Sequence, residues 1–152
     1  MLRSIRKQGW GVALSAKAVG LVIASLYIAR FASQRRVASA LAVMSWAGLP
    51  LFALGITQNL SLLAVAAFVG GLATAYFGIV WDTALQTQVP NSMLSRVAAY
   101  DDLGAYIGIP LAQITAVASG ATVGNQTVAV AGGVLFTVSA LLPIASRSVR
   151  RK

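Results

Sequence analysis

Four charged side chains share one polar stretch, WDTALQTQVPNSMLSRVAAYDD, from Trp81 to Asp102, set between long apolar runs. It holds Asp82, Asp101 and Asp102, the only acidic residues of the chain, together with Arg96. Carboxylates and a guanidinium at the edge of an apolar segment can form a charge-assisted pair, carry a proton, or cap a helix through its dipole. The chemistry beyond this is narrow. There is no histidine and no cysteine, so His-based triads, His or thiolate metal sites and disulfides are not available. No HExxH or GxSxG pattern occurs, and the reading is of a non-enzyme without metal or cofactor.

The elements that must position these groups are apolar helices. Of the 152 residues 58% are hydrophobic and only 10% charged, and the mean hydropathy is +0.79. A soluble domain has about 25% charged residues and gives each surface helix a polar face, which these runs lack. The first run, 10–29, is long enough to cross a ~30 Å hydrocarbon layer. Its one charge is Lys17, placed near the early end of the run. The long stem can reach the interface or line the protein interior, and snorkelling is the simpler reading.

The uncharged stretch after Arg36 is too long for one span. The polar triplet Thr57-Gln58-Asn59 divides it into spans at about 37–56 and 61–80, with Pro50 expected to kink the former. The stretch from Trp81 is read as a loop broken by Pro90-Asn91-Ser92. A fourth span follows at about 97–119, with Asp101 and Asp102 in its first turns at the positive end of the helix dipole. Residues 120–126 read as a loop, and a fifth span covers about 127–145. The fold class is therefore all-α, a single polytopic membrane domain over 1–152 with about five transmembrane helices. Gly104 and Gly108 form a GxxxG pair, and Gly71 with Ala75 a weaker one, spacings at which membrane helices approach closely.

The net charge of +9 does not form a continuous basic face of the kind that binds nucleic acid. It sits in clusters at span ends: Arg3, Arg6 and Lys7; Arg30, Arg35 and Arg36; Arg147, Arg150, Arg151 and Lys152. The second and third clusters and Arg96 fall on one side of a five-span chain. The positive-inside rule makes that side, and the C-terminus, cytoplasmic. Arg3, Arg6 and Lys7 then lie outside against the rule, a conflict removed if earlier spans of a larger protein fix the orientation.

The pattern W-D-T-A-L-Q-T-Q-V-P, then L-S-R-V and Y-D, resembles the loop between the tenth and eleventh spans of major facilitator superfamily transporters. The nearest branch is that of enterobactin-exporter-like and drug-efflux-like bacterial permeases. The matching residues are Trp81, Asp82, Thr83, Leu85, Gln86, Val89, Pro90, Leu94, Ser95, Arg96, Val97, Tyr100 and Asp101. Arg30, Arg35 and Arg36 are similar to the basic cytoplasmic loop joining spans eight and nine of that family, and Pro110 also fits its pattern. Lys17 departs from it. The resemblance implies spans eight to twelve of a twelve-span permease in the plasma membrane, whose N-terminal half is absent from this chain. It further implies proton-coupled efflux of a small molecule such as a drug or siderophore, through a path between two halves. Asp82, Arg96 and Asp101 would then be candidates for gating charge pairs at the cytoplasmic mouth. An ordinary solvated loop is the competing reading of Arg96 and Asp101, and a helix cap that of Asp102. Without its other half such a piece would be inactive. The alternative is a small membrane interaction protein packing on partner helices through its glycines.

Overall fold

The computed structural model describes residues 2–28 and 37–145. Arg30, Arg35 and Arg36 and the basic tail lie outside the described residues. The described residues are almost all helical, with no strand among them: α1 (Leu2–Ile28), α2 (Val37–Met44), α3 (Leu49–Ile56), α4 (Leu60–Gln88), α5 (Asn91–Val123) and α6 (Asn125–Leu141). Short 3-10 turns, Ser45–Gly48 and Leu142–Ala145, join α2 to α3 and follow α6. Five helical segments are long and apolar enough to cross a membrane: Gly9–Tyr27, Val37–Ile56, Leu60–Gln88, Asn91–Val123 and Asn125–Ile144.

The turn at Thr57-Gln58-Asn59 is built as its residue types dictate. Thr57 Oγ1 accepts from the Asn59 amide at 3.0 Å, and Asn59 Oδ1 accepts from Ser61 at 3.0 Å and Leu62 at 3.4 Å. Asn59 thereby caps α4, satisfying amides that have no partner inside the helix.

Pro50 shapes the second span. Proline has no N–H to give Trp46 O, the carbonyl four residues back. The Leu49 amide bonds Trp46 O instead, closing the 3-10 turn before α3. That deprives Ser45 O of its α-helical donor, and Thr137 Oγ1 on α6 reaches it at 3.4 Å. A polar side chain on a neighbouring helix thus takes up a carbonyl that the proline displaced, as apolar surroundings require. Thr137→Val is expected to lower stability by about 0.6 kcal/mol, the typical worth of one such inter-helix bond; unfolding in mixed micelles measures it.

The interior is made by close backbone approach, not by large side chains. Of the nine buried hydrophobic residues among those described, seven are alanines: Ala13, Ala24, Ala40, Ala67, Ala73, Ala75 and Ala140. Helices that sit among apolar tails associate through small residues because burying bulk gains little there. α4 is central. Gly70 and Gly71 face two different neighbours: a Cβ on Gly70 would come within 2.9 Å of the Pro50 ring, and one on Gly71 would strike the Lys17 carbonyl of α1. Gly20 of α1 returns the contact, lying on the Phe68 carbonyl of α4. α3 and α6 meet in the same way at Gly55, where a Cβ would stand 2.9 Å from Gln126 O and 3.2 Å from Val130 N.

Three boundaries differ from the sequence-based expectation. α4 does not end near Val80 but continues to Gln88, because Thr83 Oγ1 bonds Ile79 O at 2.7 Å and Thr87 Oγ1 bonds Thr83 O at 2.8 Å. Polar residues here satisfy themselves on the helix and do not break it. α5 begins at Asn91 and not near Val97, directly after Pro90, whose carbonyl accepts from Met93 and Leu94. Residues 120–126 are not a loop: α5 runs to Val123 and α6 starts at Asn125, with Gly124 alone between them.

Gly124 adopts φ +89°, a conformation that an L side chain enters only with strain. Gly124→Ala is expected to destabilise the α5–α6 corner by about 1–2 kcal/mol, read as a lower unfolding midpoint.

Candidate functional site

The stretch from Trp81 to Asp102 is a helical corner, with Val89 and Pro90 joining the end of α4 to the start of α5. Its anchor is aromatic. Tyr76 and Val80 are buried with Ala40, and Phe77 packs on that cluster. Tyr76 Oη and Ser39 Oγ lie 3.2 Å apart, tying α4 to α2. One turn on, Trp81 stacks on Phe77 with ring centroids 5.7 Å apart and planes 17° from parallel. The stack holds the indole so that Nε1 donates to Asp101 Oδ2 on α5 at 3.0 Å. An ordered line of contacts therefore runs from the core, through two rings, to a carboxylate across the corner.

The other candidates are disposed around this link. Asp82 and Arg96 are exposed, as are Gln86, Pro90, Ser95 and Tyr100, while Thr83 is half-buried and bonded to its own helix. Asp82, Arg96 and Asp102 form no ion pair among the described residues. Arg96 and Asp101 are five residues apart on one helix, about 140° around its axis, so they face away from each other. The structure brings Asp101 to Trp81 and leaves Arg96 on another face.

The reading of Asp101 and Asp102 as dipole caps is corrected. With α5 starting at Asn91, both carboxylates lie about three turns into it and no acidic residue is in the first turn. The dipole effect fades within that first turn. Asp101 is held by Trp81 instead, and Asp102 is exposed.

The two small-residue motifs part company. The weaker one is used, with Gly71 against α1 and Ala75 8% exposed. A Cβ on Gly104 or Gly108 would meet nothing within 4 Å. α5 as a whole has no buried residue. Its chain neighbours touch it at the two corners, while its middle stands bare. On that bare length lie Tyr106, 76% exposed, and Gln113. Gln113 is eleven residues before Gly124, about 16 Å of helix.

Phe77, Tyr76 and Ser39 did not stand out in the sequence. The Phe77 to Trp81 spacing of four, which places two rings on one helix face, was the available signal.

Among the described residues the architecture is thus a bundle of membrane-length apolar helices that pack through small residues, with α5 standing outside that packing. No family model matches the chain, and none of the curated proteins or solved structures matches it.

Proposed function

We propose that this chain is the C-terminal part of a major facilitator superfamily permease, spans eight to twelve, and takes part in proton-coupled efflux of a small molecule across the plasma membrane. One structural observation supports the reading best. α5 crosses the full depth of the bundle with no buried residue, yet carries the Gln113 amide near mid-span and two open glycines. An amide facing hydrocarbon lacks hydrogen-bond partners, which costs on the order of several kcal/mol. Glycines with no neighbour give up helix stability for nothing. Both make sense if another half of the protein covers α5 and a polar path runs along it.

In this reading the basic loop at Arg30, Arg35 and Arg36, the Val89 and Pro90 corner and the C-terminus are cytoplasmic. The Trp81–Asp101 link fixes α5 to α4 at the cytoplasmic mouth. Arg96, on a different face, is available to a carboxylate of the other half and can release it as the halves rock.

The test is joint expression of the chain with the reading frame directly upstream of Met1. Inverted vesicles should take up a cationic drug-like dye in a gradient-dependent way only when both parts are present, and Arg96→Ala should abolish most of that uptake without altering insertion. Stable accumulation of the five-helix chain with no upstream spans, and no dye uptake, would overturn the reading. The second reading, a small interaction protein that docks a partner helix on the bare face of α5, draws on the same open Gly104 and Gly108 and would be favoured by that outcome.

A further inference from the structure

Lys17 is the only charged residue between the basic clusters at Arg3, Arg6 and Lys7 and at Arg30, Arg35 and Arg36. Its depth follows from the helix. In the membrane-length segment Gly9–Tyr27 it stands eight residues from one end and ten from the other, about 12 and 15 Å of rise. Sliding α1 along its axis does not help. Lys7 lies ten residues before Lys17 and Arg30 thirteen after it, so bringing Lys17 toward either surface drags another basic residue inward. A lysine stem reaches roughly 6 Å, about half of what snorkelling from this depth demands.

The packing of α1 fixes where the ammonium emerges. The Lys17 carbonyl abuts Gly71 of α4, and Ala13, Gly20 and Ala24 are buried on the same side. Lys17 itself is exposed. It therefore stands on the border of the α1–α4 seam with its side chain directed out of the bundle, next to exposed Leu14. No carboxylate of this chain can meet it. All three lie at Asp82, Asp101 and Asp102. α1 and α4 run parallel, with Gly9 at Leu60 and Gly20 at Phe68, and Asp82 is eleven residues beyond Gly71, about 16 Å of helix. A second copy inserted the same way carries its carboxylates at that same end, so it does not supply the counter-charge either.

We propose that Lys17 is an intramembrane docking point for a transmembrane helix of another polypeptide segment, one that bears an aspartate or glutamate at mid-span depth. A buried cation in a membrane is costly unless paired, and α1 offers this partner a lysine at the edge of an otherwise apolar face. The inference needs only that the chain spans a membrane, and does not depend on the transport reading.

The experiment uses the full chain in phosphatidylcholine vesicles with synthetic Leu/Ala helices of about 20 residues, followed by energy transfer between labels. One peptide carries a central Asp, one an Asp near its end, and one a central Leu. The central-Asp peptide should associate with the chain about three- to tenfold more tightly than the Leu peptide, the range of one polar pair between membrane helices. Lys17→Met should erase that preference and Lys17→Arg keep it. Folding should survive Lys17→Met, since position 17 abuts Gly71 through its carbonyl and its side chain is exposed; an unchanged unfolding midpoint verifies this. Equal binding of the Asp and Leu peptides, or a preference that persists in Lys17→Met, overturns the proposal. Equal binding of central and end-placed Asp also overturns it, because it would show the ammonium at the interface.

Discussion

Replacing Gly71 by leucine is expected to destabilise the chain by at least about 3 kcal/mol, the upper end of ordinary overpacking, because the added atoms collide with backbone and not with a movable side chain. A Cβ at this position would strike the Lys17 carbonyl and stand 3.2 Å from the Leu21 amide. The two helices must move apart for it to fit. That separation also removes the reciprocal contact at Gly20, where a Cβ would lie 3.2 Å from the Leu72 amide. Gly20→Leu should therefore cost a similar amount, and the double variant should cost less than the sum, since either change alone already parts the helices. Gly78 on the same helix is the control. Nothing lies within 4 Å of its Cβ position, so Gly78→Leu should change stability by no more than about 0.5 kcal/mol. Unfolding in mixed micelles gives all four values. Equal effects at Gly71 and Gly78 would mean that α1 and α4 do not meet through glycine.

The second large effect belongs to the corner. Trp81→Phe keeps the ring stacked on Phe77 and removes the one atom that donates to Asp101. The loss should be about 1.5 kcal/mol, the lower end for a hydrogen bond to a charged group because the carboxylate is exposed. Asp101→Asn keeps an acceptor but no charge, so it should lie between wild type and Asp101→Ala. In a double-mutant cycle, Trp81→Phe should add nothing to Asp101→Ala. The effect should appear locally, as faster amide exchange in the first turns of α5, because α5 has no buried residue to hold it. Additive behaviour of the pair would mean that the indole N–H does not tie α5 to α4.

The sequence made some of this structure plain and hid the rest for physical reasons. Hydropathy locates the lipid-facing part of a helix and not its ends. The five apolar segments were therefore legible, whereas the extension of α4 through Thr83 and Thr87 to Gln88 was not: threonines that bond their own helix look, in a list of residues, like loop formers. Pro90 marked the break correctly, yet its role as the entry to α5 moved the helix start six residues ahead of Val97 and took Asp101 and Asp102 out of reach of the dipole. The glycine motifs show the limit most clearly. Gly104 and Gly108 have glycine at both positions and Gly71 with Ala75, at the same spacing, does not, but only the latter pair sits where another backbone passes. Spacing states that a close approach is possible, and the neighbour decides whether it occurs. The Trp81–Asp101 bond, twenty residues long in sequence, depends on the corner at Val89 and Pro90 and on the Phe77 stack together, neither of which has a signature of its own.

The proposed topology has the chain cross the membrane five times with the Trp81 to Asp102 corner on the cytoplasmic side. The absence of cysteine makes it directly measurable. Single cysteines at Gln58, Ser92 and Gln126 can be labelled with a membrane-impermeant maleimide in right-side-out and inside-out vesicles. With that topology Ser92→Cys should react only in inside-out vesicles, and Gln58→Cys and Gln126→Cys only in right-side-out ones. Labelling of Ser92→Cys and Gln58→Cys from the same side would contradict it.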